Sequence, residues 1–448
     1  MDNQLTRYAR EVLDRCMKQK ASAGEVFLIE SRNIHLEVES GEIDMIKNAM
    51  DRLMAVRILN GHSLGFAFCT DFSKPSLDLM IEQVMTSSAS TDEDPNHLFP
   101  SPRESQSQSG VDERMSSIPI KEKFKRCQAM EKAAYGTDSR IKAARQISYS
   151  ESISDIYLIN SHGLDVSYGK SACSTFAMVV AQEGTEAQMA WEMDIKTSFD
   201  RLKWVEVGQE AARKALASLG ARPISTRKSP VILSPPVAVS IIGAFAPAFF
   251  ADAVQKGRSL MADRLGKCIA SSEVNLVDNG MLEEGLATAP YDGEGVPMQK
   301  TNIIEKGMLN SYLYDSYTAH KDGKASTGNG VRPGPKSQPQ VGPTNIYIEK
   351  GNRTEDELLT DFQEGLYITE IMGAHTIDPI SGDYSIGATG HWIQEGKRVY
   401  PVRGVTISGN MLELLKHISG CADNLRFYGP YGSPSLVVSE MVIAGENQ

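Results

Sequence analysis

Asp292-Gly293-Glu294-Gly295 sets two carboxylates around one glycine. Paired carboxylates can move a proton or hold a divalent cation. The strand-like flanks favour a plain turn with both acids in solvent, and that structural reading stands beside the chemical one. Downstream, Ser326-Thr327-Gly328-Asn329-Gly330-Val331-Arg332 is polar and glycine-rich. A flexible polar loop between strands suits ligand contact better than covalent chemistry.

Other catalytic patterns fail for identifiable reasons. Gly382-Asp383-Tyr384-Ser385-Ile386-Gly387 approximates a nucleophile elbow, but Asp383 stands where the strained turn needs glycine. It reads as a tight turn between strands. Gly323-Lys324 lacks the flanking residues of a phosphate-binding loop, and Gly328-Asn329-Gly330 has no third glycine at dinucleotide spacing. The eight histidines include no pair at helical spacing, so no local zinc motif is visible. The six cysteines lie far apart without a C-x-x-C, which reads as reduced thiols. A stand-alone hydrolase would have to draw on Asp292, Glu294, His391 and Cys421, none of which sits in a recognised motif.

These residues must be held by a large framework. At 448 residues the chain is too long for one ordinary core. With 41% hydrophobic and 23% charged residues it is neither disordered nor a coiled-coil rod. The net charge of −11 and the lack of a basic run argue against direct nucleic-acid binding. The N-terminus is charged throughout, with no signal-peptide core, so a cytoplasmic location is expected. Residues 229–251 carry no charge and are long enough to cross a bilayer, yet Pro235, Pro236 and Pro247 interrupt them. They read as a strand over 231–233, a turn and a buried helix over 237–253, and no membrane span is expected.

Helical spacing predicts helices over 5–20, 77–85, 120–134 and 204–219, the last closed by Gly220. Alternation predicts strands over 25–30 and 34–38, a pair within 52–69 turning at Asn60-Gly61, and strands over 146–159, 164–168 and 175–182. Residues 87–117 read as a long exposed loop. Beyond about residue 222 glycine becomes dense and strands dominate. Strands are expected over 301–304, 345–348, 365–371, 399–407 and 435–443, with helices over 355–362 and 410–417. The expected class is α+β, with an N-terminal domain over 1–222 and a β-rich C-terminal domain over 223–448.

Residues 292–332, 368–402, 406–412 and 432–445, in that order, resemble the TldD/PmbA family. The resemblance covers most of the chain from about residue 140 and is weaker before it. It implies a cytosolic metallopeptidase of two paired subunits that trims or matures peptides; an older family label is modulator of DNA gyrase. TldD-like chains carry H-E-x-x-x-H on a buried helix and a cysteine ligand near the C-terminus, whereas PmbA-like (TldE) chains lack the histidines. Alignment places Gly243, Ala244 and Ala248 on the histidine, glutamate and histidine positions, and no His or Glu occurs in 229–251. Glycine and alanine offer no side-chain lone pair. Cys421 falls near the cysteine ligand, but one thiolate is not a zinc site.

The resemblance therefore implies a PmbA-like subunit without its own metal, zinc being expected in a TldD-like partner. Asp292, Glu294, Ser326, Thr327, Asn329 and Arg332 are expected to line the peptide channel. A homodimeric peptide-binding module is the other reading, since closed two-fold dimers are common.

Overall fold

The computed structural model describes residues 3–108 and 110–445. Six strands of the first half make one antiparallel sheet. They are β1 (Ala23–Glu39), β2 (Glu42–Asn60), β3 (Ser63–Cys69), β4 (Ile141–Asn160), β5 (Asp165–Glu183) and β6 (Glu186–Lys196), ordered β3-β2-β1-β4-β5-β6. Helices α1 (Asn3–Lys18), α2 (Lys74–Ala89), α3 (Ile120–Tyr135) and α4 (Trp204–Ala217) cover one face.

The period-two geometry of a strand explains how the sheet serves two neighbours. Val26 and Leu28 of β1 pack under α1 and α2, with Val12, Met80 and Val84. Phe27, between them, points the other way and packs with Leu158, Tyr168, Ala289 and Met298, which belong to both halves of the chain. Farther along, Leu36, Ile147 and Tyr149 meet Met130 and Val207 from α3 and α4. A Cβ on Gly208 would stand 2.2 Å from the Met130 carbonyl oxygen, so these two helices cross with their backbones in contact.

The four expected helices form within a few residues of their expected bounds. The two strands expected over 25–38 are one strand, and those over 164–182 are likewise one. β6 was not expected; in this edge strand Ala187 and Met189 are exposed while Glu192 is buried. Most described residues of 90–114 are exposed and outside regular elements, as expected, but the segment is anchored at several points. Helix α2 runs to Ala89, Phe99 is buried against Ala23 and Leu59, and Met115 is buried among the residues of α3 and α4. The segment is a strap: Tyr317 donates to Asp94, His97 stacks on Tyr317, and Ser105 donates to the Pro290 carbonyl.

The second half contributes two further large sheets. One comprises β8 (Leu276–Asn279), β9 (Lys300–Glu305), β10 (Met308–Leu309), β13 (Ile346–Ile348), β18 (Arg426–Tyr428) and β19 (Tyr431–Ser433), ordered β10-β9-β8-β13-β19-β18. A small ribbon pairs β11 (Gly330–Val331) with β12 (Gln340–Val341). The other sheet uses β7 (Arg227–Leu233), β14 (Glu364–Met372), β15 (Asp383–Gln394), β16 (Lys397–Asn410), β17 (Ile418–Cys421) and β20 (Leu436–Ala444). β7 pairs with β14 and β20, and β20 also reaches β16, so β7, β14, β15, β16 and β20 close into a ring. β15 runs through the expected turn at 382–387, and Ser385 lies within it, paired with Ser408.

The uncharged stretch departs from one continuous helix. After β7, helix α5 (Pro235–Phe245) gives way to a 3-10 turn (Ala246–Phe249). Phe250 is extended, and α6 (Ala251–Gln255) follows. Pro247 brings no N–H to continue the α-helical ladder. Among the described residues no helix is long and apolar enough to cross a membrane. The remaining helices are α7 (Ser316–Lys321), α8 (Glu355–Leu359) and α9 (Met411–His417).

Candidate functional site

Three neighbourhoods bear on chemistry: helix α5, the junction between the first sheet and residues 292–332, and the open face of that sheet.

Helix α5 lies in the large apolar core of the second half. Beneath it is a cavity of about 30 Å³ lined by Ala238, Ile241, Phe245, Leu276, Leu415 and other apolar side chains. The aligned ligand positions carry no donor. Ala248 is buried, and a Cβ on Gly243 would lie 3.8 Å from the Tyr431 ring, in ordinary contact. Cys421 is buried, and its thiol donates to the Glu273 carbonyl at 3.6 Å. Burial, with Glu273 adding to it, pushes that thiol up to about 12, so it stays protonated near neutrality. Among the described residues no group of three or more His, Cys, Asp or Glu side chains could hold a metal. The donor set does not fit the zinc that a metallopeptidase fold implies.

The junction is charged and closed. Register places Glu25 of β1 beside Arg57 of β2. Arg57 donates to Glu25 through Nε at 3.0 Å and Nη2 at 2.7 Å, and through Nη1 to Glu294 at 3.5 Å. Arg332 donates to Glu25 through Nη2 at 2.5 Å and to the Gly293 carbonyl through Nε at 2.9 Å. Burial opposes the Arg57 charge, yet Glu25 and Glu294 hold its pKa above the ordinary range. Burial lowers Arg332 to about 10 despite Glu25.

The expected channel residues sit here with their polar atoms engaged. Asp292 is not solvated: its Oδ1 accepts from the Glu294 and Val296 amides, each at 2.9 Å, and its Oδ2 from the Gly330 amide at 2.9 Å. Burial, reinforced by the Glu294 charge, raises the Asp292 carboxyl. Glu294, also raised by burial, accepts from the Ser316 amide at 2.8 Å. Asn329 is buried and donates to Asp278 at 2.8 Å and the Gly342 carbonyl at 2.9 Å. Thr327 donates to Asn329 at 2.7 Å, and Ser326 to the Tyr314 carbonyl at 3.1 Å. The loop expected to be flexible is thus folded into the protein from Gly328 to Gly330. Asp278, which Asn329 contacts, is pushed up to about 6 by burial.

His391 lies on β15, where its Nε2 meets the Ala217 carbonyl at 3.0 Å and its Nδ1 is buried without a partner. It shares no hydrogen bond or ion pair with Asp292, Glu294 or Cys421.

The open face of the first sheet is the one large concavity of the three. A trough of about 490 Å³ runs over Asn33 and His35 of β1, Lys47, Ala49 and Asp51 of β2, Ser150 and Ser152 of β4, and Ala172 and Ser174 of β5. Register makes these a continuous floor: Asn33 faces Ala49 and Ser152, and His35 faces Lys47 and Ser150. His35 contacts Ser150 Oγ at 2.7 Å and Glu37 at 3.0 Å, and Asn33 donates to Asp51 at 3.1 Å. On β5, two residues from Ala172, burial lowers the Lys170 ammonium to about 8 while the Asp292 charge opposes that shift.

The sequence reading missed Glu25, Arg57 and the trough. A charge beside each of the apolar runs Val26-Phe27-Leu28 and Ala55-Val56 was a signal, but only the strand register pairs them.

Comparison with known proteins places this geometry. Residues 24–88 match PmbA/TldA metallopeptidase domain 1, 113–219 the central domain and 226–445 the C-terminal domain. Metalloprotease PmbA of Escherichia coli O157:H7 is 27% identical over 431 residues, covering 95% of this chain and 93% of that protein. A metalloprotease of Methanothermobacter thermautotrophicus is 28% identical over 409 residues, 88% of this chain and 87% of the relative. The crystal structure of TldE from Thermococcus kodakarensis superposes with a TM-score of 0.91 at 22% identity, covering 98% of this chain and 100% of that one, a likeness of fold. With three consecutive family domains matched along its length, the chain belongs to the PmbA/TldD family.

Proposed function

We propose that this chain is the PmbA-like subunit of a two-subunit zinc metallopeptidase and contributes substrate binding without a metal of its own. The observation that carries this reading is the donor-free α5 window, with glycine and alanine at the ligand and base positions. A zinc peptidase needs three protein ligands and a base for the attacking water. The TldD-like partner would supply these, and this chain would hold the peptide.

The trough suits an extended peptide: it is open, with small residues Ala49, Ser150, Ser152, Ala172 and Ser174 in its floor and His35, Lys47 and Asp51 beside them. Segments 292–295 and 326–332, including Asp292, Glu294, Ser326, Thr327, Asn329 and Arg332, would then close its inner end and fix its position against the C-terminal half. All six cysteines are free, which suits the cytoplasm.

The test measures zinc content and peptidase activity of the chain alone, of a TldD-like subunit alone and of the mixture. The reading expects neither tight zinc nor cleavage from this chain, and a rise in cleavage on mixing beyond the partner alone. One tight zinc per chain with cleavage by the chain alone would overturn it.

A further inference from the structure

The open face of the first sheet ends at one row of residues. Beyond that row, Tyr168 of β5 and Leu158 of β4 are buried with Ala289 and Met298 of the second half, and Tyr168 donates to the Tyr291 carbonyl at 3.3 Å. In the row itself, register sets Asp51, Ser31, Ser154 and Lys170 side by side across β2, β1, β4 and β5. Strand alternation puts Lys170 on the same face as Ala172 and Ser174, which line the trough.

The donors of this row are not all used. Among the described residues Lys170 Nζ makes no hydrogen bond or ion pair. Asp292 acts on it only through space, its own oxygens being taken by the Glu294, Val296 and Gly330 amides. Ser31 Oγ and Ser154 Oγ share one hydrogen bond at 2.8 Å, so one of their two hydroxyl protons has no acceptor among the described residues. Asp51 already accepts from Asn33 and lies three strands from Lys170, about 14 Å at the strand spacing, too far to neutralise it. An ammonium without a partner carries a desolvation cost that an arriving anion offsets. The lowering of Lys170 by burial agrees with that cost.

We infer that Lys170, with the Ser31–Ser154 hydroxyl pair, receives the C-terminal carboxylate of a peptide lying in the trough. This rests on the reading that the trough holds peptide. The choice of a chain end follows from the fold: the second half closes the face beyond this row, so an extended chain entering over Ser174 must stop here. The choice of carboxylate follows from charge, since Lys170 offers a cation with three donors and no acceptor. From Ser174 to Lys170 is four residues of strand, about 13 Å, so the last four residues of the peptide would lie on the floor.

The test is fluorescence anisotropy with the full chain and a peptide of Ser, Ala and Gly labelled at its N-terminus, as the free acid and as the C-terminal amide. The acid is expected to bind at least about tenfold more tightly than the amide, the scale of one charge-assisted hydrogen bond. Lys170→Met is expected to bring the acid down to the affinity of the amide and to leave the amide unchanged, which a misfolded variant would not do. An amide carrying one Asp midway is expected to bind like the plain amide. Equal binding of acid and amide by the parent chain, or a Lys170→Met chain that still prefers the acid, would overturn the inference and leave the peptide reading standing. An Asp-bearing amide that matches the acid would overturn the assignment to the chain end. Failure of both acid and amide to bind would overturn the inference together with the peptide reading.

Discussion

Helix α5 and the Glu25–Arg57 junction are both buried, and they solve burial in opposite ways. The cavity beside α5 is lined by apolar side chains, and Gly243, Ala244 and Ala248 carry no side-chain lone pair. At the junction two arginines and three carboxylates are buried together, each charge answered by another or by backbone amides. The difference teaches where polar chemistry has been retained. A lone carboxylate or imidazole in the α5 core would face the full desolvation penalty. At the junction the same penalty is offset by a network that joins the two halves of the chain.

The sharpest way to break this contrast is to remove one charge. Arg57→Met leaves Glu25 and Glu294 buried without their shared cation. It is expected to cost about 3–5 kcal/mol, measured as a shift in urea unfolding. A loss below about 1 kcal/mol would mean the network is not what ties the halves together.

Gly295→Ala is expected to cost somewhat less. Gly295 has φ +85°, and a Cβ there would stand 2.2 Å from Leu164 Cδ2, so both backbone and packing resist it. An expected loss of about 1–3 kcal/mol would place this turn of the second half hard against the first sheet.

A pH measurement sharpens the comparison further. Burial pushes Asp278 up to about 6 from an ordinary 3.8. The folded state therefore binds the proton more tightly than the unfolded chain. Its contribution is fully present below the unfolded value and is lost as pH rises through about 6. Unfolding free energy measured against pH is expected to carry this falling component between about pH 4 and 6, and Asp278→Asn is expected to remove it. An identical slope in the variant would contradict it.

The smallest expected effect lies in helix α5 itself. Gly243→Ala meets only an ordinary contact with Tyr431, and alanine favours the helix. A gain of up to about 1 kcal/mol is expected in thermal unfolding, and a large loss would show that glycine there serves close packing.

Much of this architecture was legible from local pattern. Leu5, Tyr8, Val12 and Cys16 announce α1 by helical spacing, and Asn60-Gly61 announces the turn between β2 and β3. What escaped was everything set by register and long-range packing. Gly382–Gly387 looked like a turn, yet Ser385 and Ile386 pair along β15 with Ser408 and Ile407. Asp292 and Glu294 looked solvated because their partners, Gly330 and Arg57, lie far away in sequence. The trough could not be read at all, since its floor draws on four strands whose small residues look unremarkable one by one.

The most direct test of the central claim is native mass spectrometry of the chain with one equivalent of zinc, alone and with a TldD-like subunit. The account predicts a zinc-free chain alone and, on mixing, a complex in which zinc resides on the partner. One tightly held zinc on the isolated chain would contradict it.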